Sequence, residues 1–144
     1  MPSRSTLTGG AAIARKFKAA VPGLLPAISE ASRASLKPML AAARENVPVR
    51  SGALKKSLAV KKLRSARLKP SYAVGPRSDY VGKAGQKPVR YAHLAEFGRP
   101  PNADGKGEEK GTRFLTRAFR ATASEALRIF EQTVGPAFLK RLSK

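Results

Sequence analysis

His93 and Glu96 stand three residues apart, a spacing that puts two side chains on one face of a helical turn. They are the best candidates in the chain for a general base and its orienting carboxylate. The surrounding stretch, Arg90-Tyr91-Ala92-His93-Leu94-Ala95-Glu96-Phe97-Gly98-Arg99-Pro100-Pro101, holds the only histidine and sets one of nine acids among Tyr, Leu and Phe. No nucleophile or oxyanion-stabilising feature lies beside the pair, so a structural reading fits better. A half-buried Glu96 can accept from backbone N–H groups or pair with Arg50 or Arg113, and so anchor a turn. Removing one side of such a pair leaves a buried charge, at a cost of about 3–5 kcal/mol.

Other chemistry is harder to assemble. One His, no Cys and no carboxylate pair at a ligand spacing argue against a metal site. Glu108-Glu109 lies in a Gly/Lys stretch and reads as solvating charge. Gly9-Gly10 and Gly105-Lys106-Gly107 lack the strand and helix a phosphate loop needs, and there is no G-x-S-x-G elbow. The sequence therefore assigns no catalytic, cofactor-binding or metal-binding residue, and the expectation is a protein that is not an enzyme and carries no cofactor.

Charge is the dominant feature. The chain has 29 Lys and Arg against nine acids, a net charge of +20 in 144 residues. Residues 1–70 hold 15 basic residues and two acids, and residues 71–144 hold 14 and seven. No acid falls between Glu45 and Asp79, while Lys55, Lys56, Lys61, Lys62, Arg64, Arg67 and Lys69 all do. Such concentrated charge repels itself in an isolated monomer and implies an anionic partner, either nucleic acid or acidic protein. No apolar run approaches the roughly 18 residues of a membrane span. The N-terminus lacks the apolar block of a signal peptide, and the absence of Cys fits synthesis in the cytoplasm.

The elements that must position these residues are legible in outline. Residues 1–25 read as a basic, flexible arm closed by Pro22-Gly23 and Pro26, with a short helix possible over 11–20. Residues 26–144 read as one domain. Ile28, Ala31, Ser35, Leu36, Leu40 and Ala43 share a helical face, and Pro38 kinks or divides that helix. Asn46-Val47-Pro48 ends it. Leu58 and Val60 alternate with small or polar residues as in a strand, Ser71–Pro76 reads as a second strand, and a basic hairpin connects them. Pro88–Phe97 reads as a strand end running into one helical turn. Residues 99–111 have no apolar side chain suited to a core and read as a disordered or binding loop. Leu115, Phe119, Ala126, Leu127, Phe130 and Val134 then recur at helical spacing until Gly135-Pro136 interrupts them. The fold class is α+β: a small antiparallel sheet packed against a kinked N-terminal helix and a long C-terminal amphipathic helix.

Nucleic-acid binding has the charge without the usual apparatus. Tyr72, Tyr80 and Tyr91 are dispersed, and no stacking motif, zinc-ligand set or helix-turn-helix pattern is visible. Non-specific phosphate contact needs only charge and stays open.

Three segments resemble, in order, those of the HK97 gp10-like tailed-phage family. Ala43–Leu58, with Pro48, Ser51, Gly52 and Leu54, resembles the family's helix followed by A-P-x-x-T-G-x-L-x-x-S-I. Tyr91, Ala92, Glu96, Phe97 and Gly98 resemble its Y-A-x-x-x-E-F-G-T signature. Arg113–Phe119, with Phe114 and Leu115, resembles its P-F-L-x-P-A-F. The matches span about residues 43–119 and leave the arm outside. Ser51 replaces the commoner Thr, Arg99 replaces the Thr after Glu-Phe-Gly, and Thr112 and Arg117 replace prolines. In this light Glu96 belongs to a fold signature, with Gly52 and Gly98 supplying turn conformations that a side chain resists.

The resemblance implies a structural virion protein at the head–tail junction, in a neck or tail-completion role. The tail terminator capping the tube is the nearest alternative, and a small basic nucleic-acid-binding protein is the alternative of another class. It further implies a homo-oligomeric ring, hexameric or dodecameric, around the DNA channel. Its partners would be neighbouring connector and tail proteins, with non-specific contact to phage DNA and none to membrane. The basic hairpin carrying Lys55, Lys56, Lys61, Lys62, Arg64, Arg67 and Lys69 is the expected interaction surface, on a protein made in the host cytoplasm and carried at the top of the tail.

Overall fold

Pro38 divides the N-terminal helical segment in two. In the computed structural model, which describes residues 10–50, 52–65 and 69–143, α1 runs Gly10–Ser35 and α2 runs Lys37–Asn46. Leu36 lies between them and Pro38 sits in the first turn of α2, where its missing N–H has no helical acceptor to lose. Val47 then takes an extended conformation before Pro48, and its N–H still reaches back to the Ala43 carbonyl at 3.0 Å.

A short helix, α3 (Ala53–Ser57), leads directly into β1 (Leu58–Leu63). β1 pairs antiparallel with β2 (Ser71–Pro76) in the register Leu58↔Pro76 to Leu63↔Ser71. A 3-10 turn (Pro88–Arg90) and α4 (Ala92–Phe97) follow. A minimal ladder of β3 (Gly98–Arg99) with β4 (Glu109–Lys110) then opens onto α5 (Phe114–Leu142). α5 packs along both α1 and α2, and α2 also touches β1. Ala43, Val47, Leu54, Leu58, Ala92, Phe114 and Ala118 form the buried core, with Phe114 its largest fully buried side chain. Alanines at the helix contacts let the backbones approach closely. The fold class is thus the α+β arrangement expected from the sequence.

Several expectations need correction. Residues 10–25, read as part of a flexible arm, lie in α1, and Pro22 and Pro26 fall inside the helix without ending it. Gly135-Pro136 likewise does not interrupt α5. An interior proline costs a helix about 3 kcal/mol, so packing must hold these segments. α1 lies along α5, and the rings of Phe17 and Phe138 stack 6.0 Å apart. Residues 1–9 of the arm lie outside the described residues.

The expected face of α5 holds in part, since Leu115, Ala126, Phe130 and Val134 are half-buried, but two of its members point outward. Phe114, Ala118 and Thr122 are the buried residues, whereas Phe119 is 58% and Leu127 59% exposed. The reading by bulk passed over Ala118, whose small side chain fits the close contact, and gave its place to the bulkier Phe119 and Leu127.

Pro88–Phe97 contains no strand. Proline starts the 3-10 turn, and the alternation of Val89 and Tyr91 leaves Val89 exposed. Lys55 and Lys56 stand on α3, ahead of the hairpin rather than in it. The 99–111 loop is an exposed hairpin closed by the short ladder. Its tip turns through Asn102 and Lys106, where the Asn102 N–H donates to the Lys106 carbonyl at 2.8 Å.

Candidate interaction surface

The first turn of α5 presents backbone N–H groups with no acid of its own to receive them. Glu96 supplies that acid from α4. Its Oε2 accepts from the Leu115 N–H at 2.8 Å, and its Oε1 accepts from the Thr116 N–H at 3.0 Å and the Thr116 hydroxyl at 2.6 Å. Glu96 is 4% exposed, so these charge-assisted bonds act away from bulk water and gain from the helix dipole. The backbones reinforce the junction: Thr112 N–H donates to Ala95 O and Arg113 N–H to Glu96 O, at 2.9 and 3.0 Å. Arg113 is held at φ 51° by this arrangement, the one non-glycine at positive φ among the described residues.

Of the two expectations for Glu96, acceptance from backbone N–H groups is therefore the one realised. Neither Arg50 nor Arg113 pairs with it. His93 is exposed on α4 while Glu96 points its oxygens into α5, so the spacing that suggested an acid–base pair does not bring the two groups together for chemistry.

Gly98 explains the end of the same segment. It sits at φ 86°, ψ −178°, a region open essentially to glycine. A Cβ there would collide with the Glu109 carbonyl oxygen and the Gly111 nitrogen, and a Cβ at Gly111 would strike the Glu96 carbonyl and the Gly98 nitrogen. Two glycines thus let the backbones at the base of the 98–111 hairpin approach closely. Gly52, at φ 70°, caps α3 in open space. Phe97 lies between these constrained neighbours yet is 69% exposed.

The three segments singled out in the sequence converge. Leu54, Ala92 and Phe114, one from each, share the core cluster, with Tyr91 and Leu115 packed against it. Pro48, Gly52, Leu54 and Tyr91 also line an open cleft of about 640 Å³, whose other wall includes Leu94, Lys110 and Thr112. Sequence reasoning missed this cleft, because its walls come from segments distant in the chain. The available signal was Leu94, a large apolar residue in a stretch whose helical and alternating patterns competed.

The basic residues behave differently from one another. Lys62, Arg64 and Lys69 are exposed near the β1–β2 connection, as are Lys55 and Lys56 on α3. Lys61 is half-buried, and its Nζ donates to the Pro76 carbonyl at 2.9 Å, tying the hairpin across its open end. Arg67 and Ser51 lie outside the described residues. Among the described residues the one ion pair is Arg77–Asp79, at 3.7 Å and solvent-exposed, so the net charge is left almost entirely without internal counterions. Among the described residues no group of three or more His, Cys, Asp or Glu is placed to hold a metal ion, and no helix is long and apolar enough to cross a membrane.

A family model, HK97-gp10_like, described as "Bacteriophage HK97-gp10, putative tail-component", matches residues 11–98. The match begins well before the resemblance found by motif, taking in most of α1, and stops at Gly98, short of the Phe114-Leu115 segment. No curated protein and no solved structure matches the chain.

Proposed function

The chain belongs to the HK97-gp10-like family of phage tail-related structural proteins, and from that premise we propose that it acts at the head–tail junction as a neck or tail-completion component. In this role it assembles as a homo-oligomeric ring around the DNA channel and contacts neighbouring connector and tail proteins. The family match carries the reading. Two features of the molecule support it. The charge of +20 is left without internal counterions, which favours an acidic partner over a free monomer. Two hairpins of different composition, the basic β1–β2 pair and the mixed-charge 98–111 pair with Asp104, Glu108 and Glu109 beside Arg99, Lys106 and Lys110, offer different patches of the kind that a head-to-tail ring joins.

The test is location. Label on this protein in purified particles should appear at the junction of head and tail. Label at the far end of the tail would overturn the junction role, and particles with no copy of the chain would overturn a virion role altogether. A second test uses Lys62→Glu, Arg64→Glu and Lys69→Glu together, leaving Lys61 in place because it ties the hairpin. The triple variant should fold but fail to join heads to tails, and an unchanged infectious yield would remove the hairpin from the proposal.

A further inference from the structure

The cleft between the 48–54 segment and α4 brings the edge of the core, at Leu54 and Tyr91, together with exposed apolar and cationic side chains. Pro48, Leu54, Tyr91 and Leu94 give it an apolar lining, and Leu94 remains 40% exposed there. Two further large apolar side chains close to lining residues in sequence are exposed. Val49, between two lining residues, is 66% exposed, and Phe97 follows Leu94 by three residues on the outer face of α4 at 69% exposed. The volume of about 640 Å³ lies within the range of sites that bury most of a small ligand or a few side chains.

Charge selects the occupant. Arg50 and Lys110 stand on the lining with a single acid, Glu109, and neither cation has an ion-pair partner among the described residues. Lys87 and Arg90, both exposed, flank the lining residues Gln86 and Tyr91 in sequence. An acidic partner would neutralise these cations. Among the described residues Tyr91 is the only aromatic on the lining, which suits a peptide better than a strand of stacked bases.

We infer that this cleft seats a peptide segment of a partner protein in which large apolar side chains alternate with carboxylates. The apolar groups enter against Leu54, Tyr91 and Leu94, and the carboxylates meet Arg50 and Lys110. The inference deepens the assembly reading above by giving the chemistry of one partner, and it rests on that reading for its biological setting only, since its test needs just the purified chain.

The probe is a short fluorescent peptide alternating glutamate with leucine and phenylalanine, titrated into the full chain and followed by anisotropy. Saturable binding is expected. It should weaken by about tenfold or more for Leu94→Ser and for the Arg50→Glu, Lys110→Glu pair, and stay within about twofold for Lys62→Glu, Arg64→Glu, a charge change of equal size away from the cleft. Both cleft substitutions fall on exposed or rim positions, and thermal unfolding of each variant confirms that it is folded. The inference fails if the hairpin pair weakens binding as much as the cleft pair. It fails equally if an all-glutamate peptide binds as tightly, if a single-stranded oligonucleotide of equal charge occupies the cleft better, or if no saturable binding occurs. Peptide binding with no label at the head–tail junction would leave the cleft intact and remove only the junction role; the reverse outcome would do the opposite.

Discussion

Glu96 reaches across twenty residues of sequence to hold Thr116 by both its backbone N–H and its hydroxyl, and so fixes where α5 begins. The helix is capped by a residue of another helix. The carboxylate is buried, its partners are the otherwise unsatisfied donors of the first turn, and the same bonds determine how α4 meets the longest element of the fold.

Removing that carboxylate should be costly. Glu96→Ala leaves two backbone donors and a hydroxyl without their acceptor, and is expected to destabilise the chain by about 3 kcal/mol. Thr116→Val, which keeps the backbone bond and removes only the hydroxyl, should cost about 1 kcal/mol. Urea unfolding gives both numbers as shifts in midpoint at constant slope. Equal effects from the two variants would mean that the backbone bonds contribute nothing.

Two glycines at positive φ should respond differently to alanine. Gly98→Ala meets both a forbidden backbone region and a collision with the 109–111 backbone, and should cost upwards of about 3 kcal/mol or prevent folding. Gly52→Ala meets open space and should cost about 1 kcal/mol. Similar destabilisation at the two sites, measured by thermal unfolding, would show that the hairpin base shifts to make room.

The outward face of α5 can be checked by exchange of its large apolar residues. Phe119→Ser and Leu127→Ser should each change stability by no more than about 0.5 kcal/mol, since both side chains are more than half exposed. Ala118→Leu, on the buried face, should cost about 1–3 kcal/mol through overpacking. The opposite order would restore the face expected from side-chain bulk.

Salt should expose any phosphate binding by the basic hairpin. Affinity of the purified chain for duplex DNA is expected to weaken log-linearly with ionic strength. The Lys62→Glu, Arg64→Glu, Lys69→Glu chain should show a slope shallower by about 0.9 for each phosphate it no longer neutralises. An unchanged slope would place the phosphates on other cations.

Local rules carried much of the fold. The division of the N-terminal helix at Pro38, its end before Pro48, the two strands of the basic hairpin and the class of the fold all follow from proline chemistry, apolar period and turn residues read within a few positions of each other. Glu96 was also legible as a structural position, because an acid among apolar residues demands a local reason, and Ser51-Gly52 as a turn, whereas Gly98 stood out only through the family resemblance. The prolines of α1 and α5 misled for the same cause. Proline's penalty is a property of the helix alone, whereas the packing of α1 against α5 that outweighs it joins segments about a hundred residues apart.

Charge, element type and the residues serving a turn or a cap are thus properties of the chain's local order. Which groups meet is a property of the folded packing. It turned α5 so that Ala118 faces the core and Phe119 faces out, gave Glu96 the donors of Thr116 in place of an arginine, and tied Lys61 down while leaving Lys62 exposed. It also brought Pro48, Tyr91 and Lys110 to one cleft. The reason is physical. Periodicity and propensity act over a few residues, but the partner of a buried charge, the buried side of a helix and the walls of a cleft depend on the close packing of segments that the chain places far apart.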